Sequence, residues 1–152
     1  MRPSTGSSTW VMGVVMSNLS KLIEKARAER PEPVTVEVEI GGELLMVEIT
    51  RLDGMDWAAI MAECPPHDEL SARLGYDMTA AGLLACKRFS RLLDSDGNPV
   101  EDVDWDELFK VSSGVGVRGI AATWWMLNMK DPNERVAELK KALAAGGRMS
   151  SS

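Results

Sequence analysis

Few side chains in this chain have types and spacings that could carry chemistry. Cys64, His67 and Cys86 supply three soft donors, and His67 is the single histidine among 152 residues. A structural zinc site takes four ligands, and Cys-Pro-Pro-His is not a usual pairing. Both cysteines fall on apolar helical stripes, where a free thiol acts as a small hydrophobe. A Cys–His nucleophile needs a group to orient the imidazole, and none is evident beside Pro65-Pro66. With one histidine, general acid–base chemistry near neutral pH is sharply limited.

Three further motifs resolve the same way. Gly114–Gly119, GVGVRG, matches the glycine pattern of a dinucleotide loop. That fingerprint needs a preceding strand and an acid about twenty residues on. Here a capped helix precedes it and Leu139 lies at the acid's place, so an interhelical loop is expected. Asp94, Asp96 and Asn98 start like a calcium loop. Pro99 then stands where glycine is required and Trp105 where the bidentate glutamate belongs. The acids Glu101, Asp102, Asp104, Asp106 and Glu107 are expected on a solvated face helped by a helix N-terminus. No catalytic, cofactor-binding or metal residue is therefore expected, no cofactor, and no enzyme.

The elements around these residues are legible from periodicity. Leu19, Leu22, Ile23 and Ala26 recur at helical spacing behind a Ser17 or Asn18 cap, and Pro31 and Pro33 end that helix. Val34 to Ile40 alternates apolar and polar residues, Gly41-Gly42 is a two-residue turn, and ELLMVEIT follows. Such a turn fixes the register. Ile40 faces Glu43, Val38 faces Leu45, Val36 faces Val47, and Val34 faces Ile49. These apolar pairs share one face, while Leu44 and Met46 fall on the other with Thr35, Glu37, Glu39 and Glu48.

Asp53 or Asp56 starts a helix with stripe Trp57, Ile60, Met61 and Cys64, stopped by Pro65-Pro66. One helical turn is expected around Glu69 to Leu74. Thr79 caps a helix whose stripe is Ala85, Cys86, Phe89, Leu92 and Leu93. Asp94 to Pro99 is a loop. Asp104 caps a short helix, with Glu107 at the capping-box offset. A helix follows the glycines through Val117, Ile120, Ala121, Trp124 and Asn128 or Leu127. Asp131, Pro132 and Glu134 punctuate the start of a last helix with stripe Val136, Leu139 and Leu143, and Gly146-Gly147 ends it.

The expected class is α+β: one N-terminal antiparallel β-hairpin, 34–50, packed on a mainly α-helical domain of five or six helices. Residues 16–145 form that single domain. Residues 1–15 are read as a disordered extension or a start assigned too early, since Met16 opens a better domain. Residues 146–152 are read as a disordered tail.

Composition narrows the function classes. Apolar residues make up 45% of the chain, which suits a globular protein. Seventeen Lys and Arg against 23 Asp and Glu give a net charge of −6, a poor match for gripping phosphate backbones. No apolar run approaches the roughly 20 residues that span a bilayer. Neither nucleic acid nor membrane is expected as a partner. Two cysteines make no disulfide framework. Trp124 and Trp125 point about 100° apart on one helix. Together with Leu44, Met46 and Met129 they leave more apolar surface than a small monomer needs, which marks a partner-binding surface.

The order of features carries a resemblance of spacing and residue type rather than of a catalytic signature. A hairpin ends in Ile49-Thr50-Arg51-Leu52. A tryptophan helix ends in a proline pair, Trp57 through Pro66. A Leu/Ala/Cys helix spans Ala81 to Leu93. Asp96 to Val100 forms a loop, Trp105 to Leu108 starts a helix, and a tryptophan helix ends in Leu127-Asn128. From Ser17 to Leu143 this resembles the tail assembly chaperones of long-tailed (siphovirus-type) bacteriophages, particularly those infecting actinobacteria.

The resemblance implies a chaperone that coats the aggregation-prone tape measure protein before tail-tube subunits polymerise around it. It implies a short form like this chain and a longer form made by programmed frameshifting near Leu143 to Ser152. Tail-tube protein, the longer form and self-association are the further partners it implies. The chaperone would act in the host cytoplasm and be missing from the virion. The segment before Met16 departs from the family pattern. Two other readings stand beside it: a virion structural protein, such as a minor tail or head–tail connector component, and a small cytosolic metal-binding protein or enzyme using Cys64, His67 and Cys86.

Overall fold

The computed structural model describes the backbone of residues 18–151 and the side chains of 18–146. The expectations for residues 1–15 and for a Ser17 cap lie outside the described residues. The chain divides into two compact units at the Glu32–Pro33 bond. In the first, helix α1 (18–28) carries Leu19, Leu22 and Ile23, all exposed.

The second unit opens with strands β1 (Val34–Ile40) and β2 (Glu43–Ile49). Their register is the expected one: Ile40 faces Glu43, Val38 faces Leu45, Val36 faces Val47, Val34 faces Ile49. Gly41 and Gly42 have φ of 59° and 86°, the doubly left-handed backbone that a type I′ turn requires and that glycine adopts without strain.

Helices α2 (Gly54–Ala62) and α3 (Glu69–Leu74) follow, then α4 (Met78–Phe89). Asp53 occupies the α2 N-cap position. Asp77, rather than the expected Thr79, caps α4 by accepting from the Ala80 N–H at 3.1 Å.

The α4 stripe does not continue to Leu93. Ser90 is extended, and Arg91–Leu93 form a third strand, β3, antiparallel to β2. Leu92 lies opposite Val47 in the core, while Arg91 and Leu93 flank Glu48 and Met46. The hairpin is thus two strands of a three-stranded antiparallel sheet of order β1-β2-β3. With helices supplying most of the other described residues, the α+β class is borne out.

After the short helix α5 (Trp105–Val111), capped by Asp104, comes α6 (Gly114–Trp125). The GVGVRG segment is therefore helix, not a loop. Ser113 caps it by accepting the Gly116 N–H at 3.1 Å. Its glycines let the helix approach the sheet. A Cβ on Gly116 would sit 3.3 Å from Val38 Cγ1, and one on Gly119 3.6 Å from Val36 Cγ1. α6 thus lies on the Val36/Val38 face. On its other flank it crosses α4 so closely that a Cβ on Gly82 would stand 2.6 Å from the Ala121 Cα. Trp124, Ile49, Ile60, Ile120, Val47 and Cys86 are the largest fully buried side chains of the resulting core.

Asp131 does not cap the last helix. α6 passes through a π-helical turn, Met126–Lys130, into α7 (Asp131–Ser151), and Asp131 has ordinary helical dihedrals. Pro132 would clash with the carbonyl four residues earlier in a regular helix. The wider π turn just before it accommodates the ring. Gly146-Gly147 does not end α7, whose backbone runs through most of the expected tail. Among the described residues no helix is long and apolar enough to cross a membrane.

Candidate functional site

The sheet presents two unlike faces because its register alternates. One carries Val36, Val38, Val47 and Leu92 and is covered by α6. The other carries Thr35, Glu37 and Glu39 from β1, Leu44, Met46 and Glu48 from β2, and Arg91 and Leu93 from β3. Leu44 is 49% exposed, and Met46 and Leu93 are half-buried. Glu37 and Glu39 border this apolar strip on the β1 side, opposite Met46 and Leu44. Glu39 Oε2 accepts the Gly42 N–H at 2.7 Å. Glu48 Oε1 accepts from Arg91 Nε at 3.1 Å, and this pair raises the guanidinium pKa.

Of the expected partner-binding residues, Leu44 and Met46 share this open face. Trp124 does not belong to a surface: it is 0% exposed and fills the core between α6 and the rest of the unit. Its indole N–H and the Ser90 hydroxyl are buried near Cys86, neither with a hydrogen-bond partner. Trp125 is half-buried beside the buried Tyr76 hydroxyl, whose pKa burial pushes up. Met129 is half-buried against the core from the π turn. Of the adjacent tryptophans, 124 thus points inward and 125 lies at the margin of the core.

Sequence reasoning missed Asn128. Its Oδ1 accepts the Leu52 N–H at 2.8 Å, and its Nδ2 donates to the carbonyls of Trp124 (3.0 Å) and Thr50 (3.4 Å). It ties the π turn to the loop between β2 and α2. The only sequence signal was a polar residue at a stripe position.

The exposed apolar side chains of α7 form a second uncovered surface. Val136, Leu139 and Leu143 are 49%, 54% and 77% exposed.

The reactive side chains come together only in part. His67 does have orienting groups: Nδ1 is 2.8 Å from Asp77 and Nε2 3.3 Å from Asp68. Cys64 is near, its carbonyl accepting the Asp77 N–H at 2.8 Å. Its thiol is buried, and burial, then the Asp77 and Glu63 charges, raise its pKa. Burial pushes Cys86 up to about 12. Both shifts run opposite to what a nucleophilic thiolate requires. Among the described residues no group of three or more His, Cys, Asp or Glu side chains could hold a metal ion.

The Asp94 loop is an Asx turn. Asp94 Oδ1 accepts from Asp96 N and Asn98 N, both at 2.9 Å, and Gly97 has φ 84°. The acids from Glu101 to Glu107 are exposed, and Asp106 pairs with Lys87 at 3.0 Å. No protein-family model, curated protein or solved structure matches the chain.

Proposed function

We propose that the chain is a tail assembly chaperone of a long-tailed bacteriophage. It binds the tape measure protein in the host cytoplasm, keeps it soluble and promotes tail-tube assembly around it. The observation that carries this reading is the open sheet face, where Leu44 lies exposed and Met46 and Leu93 half-buried beside Glu37 and Glu39. The order of hairpin, tryptophan helices and loops from Ser17 to Leu143 supports the family, and a net charge of −6 supports solubility while apolar groups stay exposed. The proposed mechanism is reversible docking of amphipathic tape-measure helices on this face, with Trp125 and Met129 as a second contact. Trp124 is removed from the binding set because the core covers it.

Co-expression tests the proposal. Tape measure protein should move from the pellet to the soluble fraction when this chain is present, and less so with Leu44→Asp. Equal insolubility with and without the chain would overturn the reading. So would mass spectrometry of purified particles finding the chain as a stoichiometric virion component.

A further inference from the structure

Two surfaces of the second unit are uncovered and complementary. One is the sheet face just described, apolar along Leu44, Met46 and Leu93 and acidic along its β1 border. Glu37 there makes no ion pair among the described residues. The other is α7. At about 100° per residue, Val136, Leu139 and Leu143 form one stripe. Arg135 and Lys140 border that stripe on its two sides, while Glu134 and Glu138 fall farther round, toward the back. An apolar stripe with basic borders thus stands free in the same unit as an apolar strip with an acidic border.

The chain's own α7 cannot make this contact. α6 lies on the Val36/Val38 face, and α7 continues α6 as one helix through the π turn. The open face is the opposite side of the same sheet. An amphipathic helix standing alone in water is marginal, and it gains stability by covering its apolar stripe.

We infer that α7 of one copy seats on the open sheet face of a second copy, head to tail, with one basic border of the helix, Lys140 or Arg135 according to its direction, facing Glu37 and Glu39. The contact joins two different patches and leaves one of each free at the ends, so it extends rather than closes unless its rotation makes a ring. This inference stands without the chaperone reading, because it needs no client.

Sedimentation of the full chain tests it, with no other protein present. A helix on three strands falls at the small end of stable interfaces, so weight-average mass should rise between about 1 and 100 µM. Leu139→Asp and Glu37→Lys/Leu44→Lys should each hold the chain at monomer mass. Mixed, they should form a heterodimer that stops at two, since one copy keeps an intact sheet face and the other an intact α7. Arg135→Glu/Lys140→Glu, on a helix with exposed side chains, guards against misfolding of the sheet variant and should also lose association. A wild-type chain that stays monomeric overturns the inference. So does a folded sheet variant that still associates, which would mean that α7 pairs with α7, and so does a mixture that stays monomeric.

Discussion

Asn128 shows how one side chain can join two elements. It satisfies the Leu52 N–H and two carbonyls at once, in a partly buried place. Truncation to alanine leaves the amide with no partner and little access to water. Such a loss costs about 1–3 kcal/mol. Asn128→Ala should therefore lower the denaturation midpoint without changing the slope, measured by urea unfolding. An unchanged midpoint would mean that water replaces the amide. Gly82 is the second such residue. An added methyl would meet the Ala121 backbone at 2.6 Å, so α4 and α6 must move apart. Gly82→Ala is expected to cost about 1–3 kcal/mol by overpacking, whereas Gly54→Ala, with nothing within 4 Å, should not destabilise. Neither constraint could be read from sequence. A helical glycine looks like a weakness until the neighbouring helix is placed, and Asn128 looks like a misplaced polar residue.

At the scale of elements, legibility followed the range of the forces. The hairpin was legible because a two-residue turn and an apolar alternation over-determine one register, and the pairs came out as expected. β3 was not, because Arg91-Leu92-Leu93 fits a helical stripe as well as a strand, and its partner lies some forty residues away in sequence. The junction at Asp131-Pro132 carried the marks of a helix start. Continuity with α6 won because the π turn absorbs the proline. The open sheet face was legible in part: the register puts Leu44 and Met46 outward, but nothing local says that no helix covers them. α3 supplies an element-scale prediction. Asp68 accepts the Ser71 N–H at 2.7 Å, and that bond chiefly lowers its carboxyl pKa from the ordinary 3.8, with the Ser71 hydroxyl next. A lowered native pKa means that the unfolded chain takes up the proton first as pH falls. The cap's contribution is complete above the ordinary carboxylate range and is lost as pH falls below that range through the lowered native value. Protection of the Ser71 amide, its exchange relative to the intrinsic rate at each pH, should fall over that range. Asp68→Asn keeps a cap that does not titrate, so the loss of protection should flatten. Identical acid profiles for the two chains would refute the assignment.

At the scale of the whole molecule, the two proposals use the same face. If α7 of a neighbour and an amphipathic tape-measure helix both seat on Leu44, Met46 and Leu93, one excludes the other, and their balance follows mass action. A client helix that binds the open face should draw copies out of the head-to-tail array. The array would then act as a store whose faces are protected until client appears. Charge sharpens the expectation. Glu37 and Glu39 favour helices with basic borders, as Arg135 and Lys140 provide on α7, and disfavour acidic ones. Both contacts should also weaken as salt screens exposed charges over about 10 Å at 0.1 M. The decisive measurement adds synthetic amphipathic peptides from the tape measure protein to the full chain at a concentration where it self-associates, and follows mass by sedimentation. Basic-bordered peptides should lower the weight-average mass toward that of a one-to-one complex, and acidic-bordered peptides of equal hydrophobicity should leave it unchanged. If basic-bordered peptides bind while the array persists, client and α7 occupy different surfaces. The store then has no physical basis, although each contact could still stand alone.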